Sequence, residues 1–167
     1  MERIAIISDR IVLYSFYISC VALFIAASLT TINAISRYLL NYPIPGIIEF
    51  TTHYLMVAMV FFSLAYIHKH DGNVYIKIIF DDLGEEAQLA IRLFSNSLIL
   101  VIFLLIARSS IIRAAELTAS NATMVARVPW PTYIPWWIVS FGLILFCVVL
   151  LEDIIDSGSK LSDKIIH

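Results

Sequence analysis

Residues Ile47 to Phe62, IIEFTTHYLMVAMVFF, set one carboxylate and one imidazole in a stretch that is otherwise almost wholly apolar. Glu49 and His53 are four positions apart, a spacing that stacks two side chains on one face of an α-helix. Such a pair has the chemistry of half a metal site, a proton relay, a ligand contact, or a boundary marker where a helix enters an apolar phase. A metal needs three or four convergent ligands, and bis-histidine haem needs histidines on facing helices. The remaining histidines are His68 and His70, at the far end of the same run, and His167 at the chain end. The other apolar runs carry none, so His53 is expected to be a satisfied or partner-facing polar group, and no metal or other cofactor is expected. A Gly-rich phosphate loop, a nucleophile elbow and paired membrane carboxylates are likewise absent from the sequence. The expectation is a protein that is not an enzyme.

The elements that must position Glu49 and His53 follow from composition. The 167 residues are 60% hydrophobic and 14% charged, with a mean hydropathy of +0.89. A soluble domain has roughly 45–50% apolar and 25% charged residues, so this chain lacks the polar surface to cover a water-soluble globule. The expected class is an all-α integral membrane protein, with residues 1–167 as a single membrane domain. A net charge of -2 leaves no basic face for nucleic acid; lipid is the expected surroundings. Cys20 and Cys147 lie inside apolar runs and read as small buried hydrophobes.

Four spans are expected, over residues 11–36, 47–67, 92–114 and 129–151. The first, between Arg10 and Arg37, is too long for the apolar core of a signal peptide, which has about 7–15 residues. Pro43, Pro45 and Gly46 punctuate the chain before the second, which His68-Lys69-His70-Asp71-Gly72 stops. Only 15 residues separate Arg92 from Arg108, about 22 Å of helix, so both arginines must snorkel or pair while the third span runs on. Ser95, Asn96 and Ser97 enter that span together and suit helix packing. The fourth begins in a Pro- and aromatic-rich stretch where Trp130, Tyr133, Trp136 and Trp137 suit anchoring at the headgroup level. Glu152-Asp153 closes it. Between the second and third spans, residues 74–90 suit either a short interfacial amphipathic helix or an extension of the third span.

An even number of spans puts both termini on one side. That side carries Arg3, Arg10, Lys69, Lys77, Arg92, Lys160 and Lys164, against Arg37, Arg108, Arg113 and Arg127 on the other. The excess of Lys and Arg predicts cytoplasmic termini. Glu49 then lies on the non-cytoplasmic side, in the first turns of its helix, where the dipole favours a carboxylate by a few tenths to about 1 kcal/mol. Arg37 and Arg108 fall at about the same depth, which makes an ion cluster with Glu49 the first expectation. Glu49 as a plain boundary marker is the alternative.

Secondary transporters commonly carry Gly/Pro-broken helices that expose backbone to substrate and ion. Here all five prolines sit at span ends, and only Gly142 among the glycines lies inside a span. The pattern is that of an accessory or scaffold subunit. It resembles the DctQ-like family, the small membrane subunit of tripartite ATP-independent periplasmic (TRAP) transporters. The resemblance rests on Asn33-Ala34-Ile35-Ser36-Arg37-Tyr38, on Pro43 and Glu49, and on the Lys/His/Gly-rich stop before Asn73-Val74-Tyr75-Ile76. Val128-Pro129-Trp130 with Tyr133, Trp136, Trp137 and Gly142 completes it, over roughly residues 10 to 155.

The resemblance implies a multi-pass protein of the bacterial cytoplasmic (inner) membrane. A periplasmic solute-binding protein would deliver a carboxylate-bearing solute, such as a C4-dicarboxylate or sialic acid. A large permease subunit would carry the solute and sodium sites, and the small subunit would bind and widen its fixed scaffold. Arg37, Glu49 and Arg113 become candidates for contact with either partner. Two other classes are open to the sequence: the membrane anchor of a redox enzyme, and a small self-sufficient homodimeric transporter.

Overall fold

The computed structural model describes residues 2–70, 85–124 and 128–166, and they form four long helices. These run Glu2–Leu39, Ile47–Lys69, Glu85–Ala119 and Tyr133–Ile166. Each contains a segment long and apolar enough to cross a membrane, as the uncharged runs predict. At 1.5 Å per residue the first, third and fourth exceed about 50 Å, so they project beyond a hydrocarbon core of about 30 Å. Of the segment expected as interfacial, residues 85–90 continue the third helix, and 74–84 lie outside the described residues.

Local chemistry ends each helix. Asn41 follows the first in the left-handed region (φ 50°), which asparagine tolerates better than most side chains. Ser36 Oγ donates to the Tyr42 carbonyl at 2.6 Å, and the Ile44 amide donates to Asn33 Oδ1 at 3.1 Å, folding the chain back. Gly46 then starts the second helix at φ 86°, its Cα against Val128 and the Trp130 indole. Asn121, at φ 47°, closes the third helix: its amide reaches the Thr118 carbonyl and that of Ala122 reaches Leu117, the two bonds of a Schellman cap.

The fourth helix begins at Tyr133 rather than at residue 129. Residues 128–132 are held in a loop because the Met124 amide bonds the Trp130 carbonyl (2.8 Å) and the Thr132 amide bonds Ala122 (2.9 Å). Pro129 and Pro131 therefore precede the helix, and Pro135 alone sits in its first turn, where no amide donor is required.

The fourth helix is central. It packs along the third on one side and the second on the other, and the second packs along the first. Hydrophobic attraction between helices is weak in lipid, so close approach by small residues must hold them. On the first helix Ser15, Ser19, Ala22 and Ala26 form one buried stripe, and Ser19 Oγ donates to the Met59 carbonyl of the second at 2.8 Å. On the fourth, a Cβ on Gly142 would lie 2.6 Å from the Phe61 carbonyl oxygen, so only glycine permits that crossing. Ala107, Ser110 and Ala114 are the buried small residues of the third helix. Val12, Ala65, Phe146, Val149 and Leu150 make the apolar core, set toward the end that carries the termini.

Candidate functional site

Charged and polar side chains from all four helices converge at the terminal end. Lys69 Nζ, on the second helix, pairs with Asp9 of the first and with Glu152 of the fourth at 3.2 Å. Ser8 Oγ donates to the same Glu152 oxygen at 3.0 Å. One position on, Asp153 accepts from the Asn96 amide and is ion-paired with Arg92 Nε (3.5 Å), both from the third helix, while His68 Nε2 of the second lies 3.8 Å away. The Asp153 side chain is 22% exposed, and His68 is buried edge-on against the Phe146 ring. Two adjacent acids, where the central helix leaves its uncharged run, thus tie down its three neighbours. Oppositely charged groups that are paired across helices can tolerate such a half-buried place. What this arrangement does is mechanical: it fixes the relative depth of four helices.

The opposite end is organised by aromatic packing. Phe50, Tyr54 and Trp130 have ring centroids 5.1 to 5.9 Å apart, and the Tyr54 hydroxyl donates to the Pro131 carbonyl. The second helix widens here into a π-helical turn, Thr51–Leu55, a feature frequent where a helix must re-aim its side chains. Thr51 Oγ1 and Trp130 Nε1 are buried there with no hydrogen-bond partner among the described residues.

His53 falls on this turn, and Glu49 lies two positions before it, in the first helical turn of the span. Glu49 is half-buried and His53 exposed on the bundle's outer surface. The expected pairing of Glu49 with Arg37 or Arg108 is not formed within the described chain. Arg37 instead lies over the Tyr38 ring, its guanidinium carbon 5.2 Å from the centroid. Arg108 is on the third helix, which packs on the fourth and not on the second, so equal depth does not make it a neighbour of Glu49. Arg113 pairs with Glu116 at 3.1 Å on its own helix. Of the aromatic anchors, Trp136 and Trp137 are exposed, and Trp137 Nε1 donates to Thr118 Oγ1 at 3.1 Å. Tyr133 is half-buried, and Trp130 turns inward.

The terminal-end network is the feature that the sequence reading passed over. Its signal was present: Asp9, His68-Lys69, Arg92 and Glu152-Asp153 all end spans on one side, three basic against three acidic positions. Arg92, expected to snorkel or pair, pairs.

The chain's likeness to known proteins agrees with this design. Among curated proteins none is significantly similar. The family model for the DctQ component of tripartite ATP-independent periplasmic transporters matches residues 11–158, from the first span into the fourth. A match over that much of the four-helix bundle leaves one conclusion, that the chain belongs to the DctQ family and is the small membrane subunit of a TRAP transporter.

Proposed function

We propose that this subunit is a fixed scaffold that binds the large permease subunit in the bacterial inner membrane, its termini cytoplasmic. The transporter it serves is a sodium-coupled importer of a carboxylate-bearing solute, a C4-dicarboxylate or a sialic acid. The large subunit carries the solute and sodium sites, and a periplasmic solute-binding protein delivers the solute. One observation carries the scaffold reading: Glu49 and His53 stand at the outer surface of a span without an ion-pair partner among the described residues. Ionisable groups in such places are costly unless another chain satisfies them. Arg37 lies on the adjacent first helix, so this flank presents both signs of charge to a partner. The periplasmic end of the flank is also where a binding protein would dock.

Co-expression with the large permease subunit tests this. The two chains should co-purify, and Glu49→Gln should lower the yield of the complex, with a matched charge swap on the partner restoring it. Proteoliposomes holding both subunits and the binding protein should accumulate the acid only under an inward sodium gradient. Uptake by this chain alone would replace the scaffold with a self-sufficient transporter. A Soret band on the purified protein would point to a redox anchor.

A further inference from the structure

The third helix carries a second set of charges that neither the bundle nor the proposed partner flank uses. Leu105, Arg108, Ser109, Ile112, Arg113 and Glu116 line a shallow groove of about 370 Å³ along its outer surface. Arg108 and Arg113 are both exposed, one on each side of the stripe made by Leu105, Ile112 and Glu116. Arg113 is shared with Glu116, whereas Arg108 has no acidic partner among the described residues.

Depth says what surrounds these guanidinium groups. Arg92 is fixed at the terminal-end boundary by Asp153. Arg113 lies 21 positions further, about 31 Å of helix, which matches a hydrocarbon core of about 30 Å. Arg108 lies about 7 Å short of that level, inside the apolar region. Trp137, hydrogen-bonded to Thr118 just beyond, independently places the aromatic interface near this height. An exposed arginine slightly below the headgroups extends its guanidinium toward them along an apolar stem.

We infer that this groove is a binding site for an anionic phospholipid in the leaflet opposite the termini. The phosphate is held between Arg108 and Arg113, with Ser109 as a further donor, and an acyl chain lies along Leu105 and Ile112. Arginine suits the role because its planar fork donates two hydrogen bonds to one phosphate. Phosphatidylcholine carries the same phosphate, but its ammonium group would lie beside two guanidinium groups, and that repulsion is expected to give a preference of about tenfold for the anionic lipid.

The test uses the full-length chain alone in detergent, titrated with phosphatidylglycerol or phosphatidylcholine and read by native mass spectrometry. The wild type should retain phosphatidylglycerol about tenfold more strongly, and the Arg108→Gln/Arg113→Gln double variant should fall to the phosphatidylcholine level. Arg10→Gln, at the other membrane surface, should keep the preference, and a melting curve for each variant separates lipid loss from unfolding. Equal retention of the two lipids by the wild type, or an unchanged preference in the double variant, would overturn the site. So would a double variant that keeps its lipid but no longer co-purifies with the large subunit, since the arginines would then serve a protein carboxylate.

Discussion

Asp153 joins the fourth helix to side chains of both the second and the third. It accepts from Asn96 and is ion-paired with Arg92 on the third helix, and it faces His68 on the second. Interhelical hydrogen bonds in membrane proteins are measured at about 0.6 kcal/mol on average and about 1.7 at most, because the separated helices find other partners. A double-mutant cycle between Asn96→Ala and Asp153→Ala, read as thermal or denaturant stability in detergent, should therefore give a coupling of about 0.5–2 kcal/mol. Additive effects would mean that Asn96 and Asp153 are adjacent without contributing to cohesion. The identities of these residues were plain in the sequence, and so was their place at span ends. Their partnership was not, because pairing depends on which helices are neighbours. The same gap explains Glu49 and Arg108: depth was legible, adjacency was not.

At the scale of the element, the apolar runs fixed the existence and order of the helices, and the errors were at their ends. The fourth helix starts late because backbone bonds from residues 122 and 124 hold 128–132 as a loop, a long-range pairing that local pattern does not encode. The π turn at Thr51–Leu55 was equally hidden, and His53 is exposed on it. Gly142 could be singled out in the sequence as the glycine inside a span, and the packing supplies its reason. A methyl there would meet the Phe61 carbonyl oxygen at 2.6 Å and the Phe61 Cβ at 2.7 Å, and neither belongs to a side-chain end that can swing away. Gly142→Ala should destabilise the subunit by about 1–3 kcal/mol or more, measured by thermal unfolding. Gly158→Ala on the same helix is the control. Its nearest neighbour, Leu93 Cδ2, is 4.0 Å from the added carbon, so better helix propensity should leave it neutral or up to about 1 kcal/mol more stable. Equal losses for the two variants would show that the second and fourth helices do not cross so closely.

At the scale of the molecule, the two membrane surfaces are built differently. The terminal end is cross-linked by charges from all four helices, whereas the other end carries Glu49, His53, Arg37 and Arg108 outward. Which surface faces the cytoplasm decides what each can meet. By the order of the spans, the sequence assigns Arg3, Arg10, Lys69, Lys77, Arg92, Lys160 and Lys164 to the terminal side, an excess of Lys and Arg over the four arginines expected on the other. Acids such as Asp9, Glu152 and Asp153 neutralise part of that charge locally, but orientation follows the basic residues and not the net charge. Cysteine labelling with a charged, membrane-impermeant maleimide reads this directly. The native thiols do not interfere, because Cys147 is buried and Cys20 lies mid-span. Tyr42→Cys and Ser120→Cys, in exposed turns at the end opposite the termini, should label in intact spheroplasts. Ser159→Cys, exposed on the last turns of the fourth helix, should label only after lysis. The reverse pattern would invert the molecule, and the flank bearing Glu49 and His53 could then not reach a periplasmic binding protein.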